Sequence, residues 1–173
     1  MSPLALPFPE FDPVAFSVGP LAVKWYGLAY LAGLLIGWIY VRRLLSETRL
    51  WRNDRPPFSV DKVDDLLLYV TLGVVAGGRL GYVVLYEPSS YLAQPWGILA
   101  IWKGGMSFHG ALVGCGLAIW LFARRNGVSA LSSMDLGAAA VPIGLFFGRV
   151  SNFINGELWG RVTDPSAPWA MLF

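Results

Sequence analysis

Four apolar stretches, near residues 22–41, 64–86, 104–123 and 133–152, constrain this chain more than anything else in it. A helix needs about 20 mostly apolar residues to cross the hydrocarbon of a bilayer, and each stretch is long enough. None alternates apolar and polar residues with a period of two, which argues against half-buried strands. Composition agrees. Of 173 residues 55% are hydrophobic and 14% charged, with mean hydropathy +0.55, whereas soluble domains carry about 25% charged residues. The expectation is an all-α, polytopic α-helical membrane protein with four transmembrane helices, residues 1–173 forming a single integral-membrane domain. Pro142 lies inside the fourth stretch, where neighbouring helices can satisfy the freed carbonyl. The first 20 residues hold five prolines and no Lys or Arg, which argues against a cleavable signal peptide.

Direction follows from the basic residues. The connection between the first two stretches carries Arg42, Arg43, Arg49, Arg52, Arg55 and Lys62, and that between the last two carries Arg124 and Arg125. The N-terminal arm and residues 87–102 carry none. Eight of thirteen basic residues therefore share one side, the cytoplasmic one, and the N-terminus is expected outside. The other five, Lys24, Arg79, Lys103, Arg149 and Arg161, fall in the outer half of the membrane against that rule. Lys24 and Lys103 stand beside Trp25 and Trp102 at span ends and read as interfacial anchors that snorkel. Arg79, about seven residues or roughly 10 Å from the outer end of its span, is too deep for that and implies an internal partner, structural or functional.

The residues able to do chemistry gather in the same half. His109, the sole histidine, stands about five residues into the third stretch, among Gly104, Gly105, Ser107 and Gly110. It is either a satisfied packing residue or a base suited to a thiol or alcohol. The run GRVSNFINGELWGR, residues 148–161, interleaves Arg149, Asn152, Asn155, Glu157 and Arg161 with Phe153, Leu158 and Trp159. Arg149 and Asn152, three apart, share a helical face, and Asn155-Gly156 is a turn signal that stops the helix near Ile154. An arginine fork suits phosphate, an asparagine adds a neutral donor and acceptor, and a glutamate can orient the arginine or accept a substrate hydroxyl. Such a run is either a polar cap on a membrane helix or a site for an anionic lipid headgroup, and its density of hydrogen-bonding groups favours the site. Ser132 and Asp135 have near capping-box spacing and mark the start of the fourth helix. Pairs such as Gly73 with Gly77 and Gly110 with Gly114 signal close helix contact. Tyr26, next to Trp25, is an ordinary aromatic-belt position. Cys115, the single cysteine, is mid-span packing and allows no internal disulfide. No P-loop, G-x-S-x-G or H-E-x-x-H occurs, and no metal-ligand spacing or basic-aromatic pattern for nucleic acid.

GGRLGY (77–82), GGMSFHGALVG (104–114) and GRVSNFINGELWGR (148–161) resemble the signature segments of the bacterial prolipoprotein diacylglyceryl transferases, and stand in that family's order. The resemblance implies a multi-pass enzyme of the bacterial inner membrane. It would move the diacylglyceryl group of phosphatidylglycerol onto the lipobox cysteine of a prolipoprotein signal peptide, giving a thioether and glycerol phosphate, with no metal or organic cofactor. It also implies that Tyr26, His109, Arg149, Asn152, Glu157 and Gly160 are tied to function. On this reading Arg149 and Asn152 hold the phosphate and glycerol, Arg79 is a second cation, His109 is the base for the thiol, and Tyr26 and Glu157 orient the others. Members of the family run further, with more membrane helices and polar residues in a C-terminal part. Residues 1–173 alone are therefore expected to bind phosphatidylglycerol weakly and not to turn over.

The alternative is a small transporter or channel with Arg79, His109 and Arg149 along an anion or proton path. Such a path needs polar residues in both halves of the membrane, and the inner half offers Asp135 alone. A purely structural subunit leaves residues 148–161 unexplained.

Overall fold

The computed structural model describes residues 6–164 and 166–172, with Leu21 by its backbone only. The outermost parts of the expected 1–173 domain, residues 1–5 and Phe173, lie outside the described residues, as does Pro165. Helices dominate. α1 spans Trp25–Ser46, α2 Val63–Leu85, α3 Pro88–Ala93, α4 Phe108–Asn126 and α5 Ala130–Ile154. Short 3-10 turns join α1 to α2 and α3 to α4. Three segments, Trp25–Ser46, Val60–Leu85 and Ala130–Ile154, are long and apolar enough to cross a membrane. Their outward apolar side chains, such as Leu34, Leu72 and Leu145, stay more than half exposed, as a lipid-facing surface requires.

The all-α expectation is corrected at the chain's ends. Strands β1 (Leu6–Pro7) and β4 (Met171–Leu172) pair in parallel, and β2 (Val14–Val18) and β3 (Leu21–Lys24) form an antiparallel hairpin. The hairpin turns at Gly19-Pro20, where Gly19 takes φ +59°. That dipeptide between two β-prone runs was the available signal. The third stretch is also corrected. α4 begins at Phe108, four residues later than expected, because Gly104 and Gly105 take φ +84° and +80° and break the helix. Its 19 residues reach about 28 Å at 1.5 Å each, and it is not among the three helices apolar enough to cross. α5 starts one turn before the expected Ser132–Asp135 box, where the Ser129 hydroxyl accepts from the Ser132 amide at 3.2 Å.

Two compact units divide the chain, residues 1–37 with 140–173, and 38–139. In the second, the core runs through Leu45, Phe58, Leu66, Phe122 and Leu136, with Phe122 fully buried and Phe58 edge-on to it at 5.2 Å. Its α2–α4 seam is built from glycines. A Cβ at Gly81 would stand 2.6 Å from the Gly110 Cα, and one at Gly77 2.7 Å from the Gly114 Cα. Without side chains the two backbones meet directly, as small-residue spacing predicts for membrane helices. In the first unit Gly33 approaches Gly144, where an added Cβ would lie 3.5 Å from its Cα. Phe8 and Phe11 pack edge-on against Phe153 at 5.5 and 6.1 Å, beside the end of α5.

Candidate functional site

The sequence-predicted residues fall in both units: Tyr26, Arg149, Asn152, Glu157 and Gly160 in the first, Arg79 and His109 in the second. In the first unit, α5 ends at Ile154, where the Asn155-Gly156 signal put it, and Gly156 takes φ +65°. The chain then turns back on itself. The Glu157 amide donates to the Asn152 carbonyl at 2.7 Å, and the side-chain amides of Asn152 and Asn155 each donate to the Glu157 carboxylate at 3.3 Å. Leu158 and Gly160 follow at φ +51° and +98°. A β-branched or bulky residue rarely accepts the left-handed region, so Leu158 holds a strained turn beside the polar cluster.

Arg149 stands one turn earlier on α5. It is exposed, and among the described residues no hydrogen bond or ion pair occupies its guanidinium. Asn152 and Glu157 are thus spoken for by each other, and Arg149 is chemically open. Tyr26, in the first turn of α1, shares a hydrogen bond with the Tyr30 hydroxyl at 3.2 Å. A cavity of about 420 Å³ lies against this end of α5, lined by Phe8, Glu10, Phe11, Lys24, Asn155 and Glu157. Small-molecule sites run from ~300 to 1,000 Å³. Glu10 and the phenylalanines of the arm were not foreseen, because nothing local to residues 6–13 shows that the arm folds onto residues 153–157. Farther along the tail the Ser166 amide and hydroxyl, each 2.8 Å from Asp164, hold its carboxyl below the ordinary carboxylate range.

In the second unit, His109 is the second residue of α4 and exposed, with the Phe108 ring 5.7 Å from its own. It sits in the first turn, not five residues into a span, because the helix starts late. Ser107, fully buried, caps that start: its hydroxyl accepts from the Gly110 amide at 3.2 Å. Capping side chains of this type satisfy amides that have no partner inside the helix.

Arg79 spends its donors on backbone carbonyls. It is 4% exposed. Its Nε donates to the Ile98 carbonyl at 2.9 Å, Nη1 to Gly104 and Gly105 at 2.6 and 3.1 Å, and Nη2 to Gly97 and Ala100 at 2.7 and 3.3 Å. The Tyr91 ring lies 5.2 Å from the guanidinium carbon. A guanidinium has five N–H donors, so none is left for a phosphate. The reading of Arg79 as a second headgroup cation is corrected on that ground. Among the described residues no three His, Cys, Asp or Glu side chains group closely enough to hold a metal ion.

A predominantly helical chain with membrane-length helices and an open arginine at a helix end belongs to the class of helical membrane proteins. Residues 13–173 match the model of the family described as prolipoprotein diacylglyceryl transferase, and the chain belongs to that family. It is 57% identical over 168 residues to the phosphatidylglycerol–prolipoprotein diacylglyceryl transferase of Rhizobium meliloti, covering 97% of this chain and 59% of that protein. The proteins of the same name from Sinorhizobium medicae and Phenylobacterium zucineum are each 56% identical, with 59% and 57% of their lengths covered. The chain thus spans about three fifths of the length of the relatives it matches.

Proposed function

We propose that this chain carries the headgroup-holding and thiol-activating residues of an enzyme that transfers the diacylglyceryl group of phosphatidylglycerol to the lipobox cysteine of a prolipoprotein. The observation that carries the reading is the end of α5: an exposed Arg149 with no hydrogen-bond or ion-pair partner among the described residues, one turn from an Asn152–Glu157–Asn155 cluster. In the reaction a sulfur–carbon bond forms and the bond between the glyceryl carbon and the phosphate oxygen breaks. The thiol proton passes to a base, and negative charge grows on the departing glycerol phosphate. Arg149 supplies a planar two-donor fork for that phosphate, and Asn152 contacts the glycerol. Glu157, held by two amides, and Tyr26 orient the cluster, while Gly160 lets the chain turn beside it. His109, exposed at the start of α4, takes the thiol proton.

The same proposal sets the chain in the bacterial inner membrane as four spans with the N-terminus outside, α4 completing the set. The placement of basic residues supports this, as does a substrate that is itself a membrane lipid. Family membership favours transfer chemistry over the transporter or channel.

Complementation tests it. In cells depleted of their own transferase, the full coding sequence is expected to restore growth and lipoprotein modification, while Arg149→Ala and Arg149→Lys fail at equal protein level. Rescue by Arg149→Ala would reduce the polar run to a helix cap and remove the proposal.

A further inference from the structure

The connection between α2 and α4 has a problem that Arg79 solves. Residues 95–103 run as 3-10 turns and Gly104 and Gly105 follow in the left-handed region, so many of their carbonyls lack regular helical partners. Carbonyls left without donors are costly where water is scarce, and those of Gly97, Ile98, Ala100, Gly104 and Gly105 converge on one point; the Gly97 and Ala100 carbonyls also accept from the Ala100 and Lys103 amides at 3.1 Å. Arg79 fills that point with a flat cation whose five donors match them one for one. A buried guanidinium is tolerable only when saturated in this way. Lysine offers three donors in a different geometry and cannot match it.

The anchored segment leads straight into α4. Gly105 packs on the Tyr82 ring, where an added Cβ would meet Cε1 at 2.6 Å. The Ser107 amide donates to the Gly78 carbonyl at 2.9 Å, and the Ser107 hydroxyl caps α4 two residues before His109. Gly78, Arg79 and Tyr82 of α2 thus grip residues 104–107 from one side.

We propose that Arg79 is the positioning residue for His109: it fixes the 97–105 elbow, and through Ser107 the first turn of α4. This rests on the reading of His109 as the base. Arg79 touches no substrate.

The test uses the full coding sequence purified into phosphatidylglycerol-containing nanodiscs, with Arg79→Gly, Arg79→Lys and His109→Gln. Arg79→Gly vacates a five-carbonyl cage sized for guanidinium. Its amides at 97–110 are expected to exchange hydrogen faster while those at 140–154 stay protected. The transfer kcat is expected to fall roughly 100-fold, the scale of a small misplacement of a reacting group, with KM for phosphatidylglycerol within about twofold since uniform binding is untouched. Millimolar guanidinium chloride restores both protection and rate, and equal urea restores neither. Arg79→Lys keeps part of each. If Arg79→Gly leaves exchange at 97–110 unchanged but raises KM for phosphatidylglycerol, Arg79 is a headgroup ligand and the proposal is overturned. If exchange rises but guanidinium restores protection without rate, the elbow does not govern the reaction, and the proposal again fails. His109→Gln separates the two layers: transfer at the wild-type rate removes His109 as base, while the exchange and rescue of Arg79→Gly still report on the elbow.

Discussion

Arg79 and Arg149 occupy comparable positions. Arg79 lies six residues before the end of α2, a helix of 23 residues, and Arg149 five residues before the end of α5, a helix of 25. Both sit in segments apolar enough to cross a membrane, and neither forms an ion pair among the described residues. Their surroundings differ completely. Arg79 is walled in by the elbow that follows its own helix and spends every donor on backbone carbonyls, whereas Arg149 is exposed and spends none. A buried cation that is fully satisfied belongs to the architecture. An exposed one in apolar surroundings, beside side chains already bonded to one another, is available to a ligand.

The comparison breaks most visibly at Arg149. Arg149→Ala is expected to lower transfer on the order of 10²–10³-fold, as loss of one donor to developing charge does. Its unfolding temperature in detergent should match the parent's, because the side chain holds nothing in place. Next comes the stability of the opposite arginine. Arg79→Gln takes the guanidinium donors from the part-buried Ile98, Gly104 and Gly105 carbonyls at about 1 kcal/mol each, so a loss of about 3 kcal/mol in unfolding free energy is expected. Equal stability of the two variants would erase the distinction drawn here. A smaller effect sharpens the link from elbow to helix. Ser107→Ala removes the α4 cap at a cost of about 1 kcal/mol, seen as faster exchange at the Phe108–Gly110 amides with α2 unaffected.

The smallest effect lies in the tail beyond α5. Folding lowers the Asp164 carboxyl through the Ser166 amide and hydroxyl, so the turn's contribution is complete above the ordinary carboxylate value. It is lost as pH falls through the lowered one. The Ser166 amide resonance should shift over that acidic window and stay still in Asp164→Asn.

Much of this was legible along the chain. Apolar length announced the helices, since a bilayer demands about 20 apolar residues in a row wherever they occur. The stop at Ile154 was legible because Asn-Gly turns chain irrespective of context, and close helix contact because glycine spacing acts through one helix face, although that spacing, present on all four stretches, does not say that α2 pairs with α4. The 14–24 hairpin was overlooked beneath a proline-rich arm, although Gly19-Pro20 marked it. The late start of α4 was hidden because glycines raise no hydropathy signal when they leave the helix for positive φ.

What the sequence by itself determined is which residues are present at each helix end: an arginine in GGRLGY, a histidine after Gly-Gly-Met-Ser-Phe, and a dense polar run at 148–161. Those follow from residue type and local spacing. Which groups claim Arg79, and that they leave it no donor for a ligand, was decided by tertiary structure alone. The five carbonyls that claim Arg79 lie 18 to 26 residues away along the chain, and their convergence depends on how a turn between two helices folds back. The arm's Phe8 and Phe11 reach Phe153 across a still longer separation. Contacts of that range carry no local signature, because they exist only once the helices have set the directions of the segments between them.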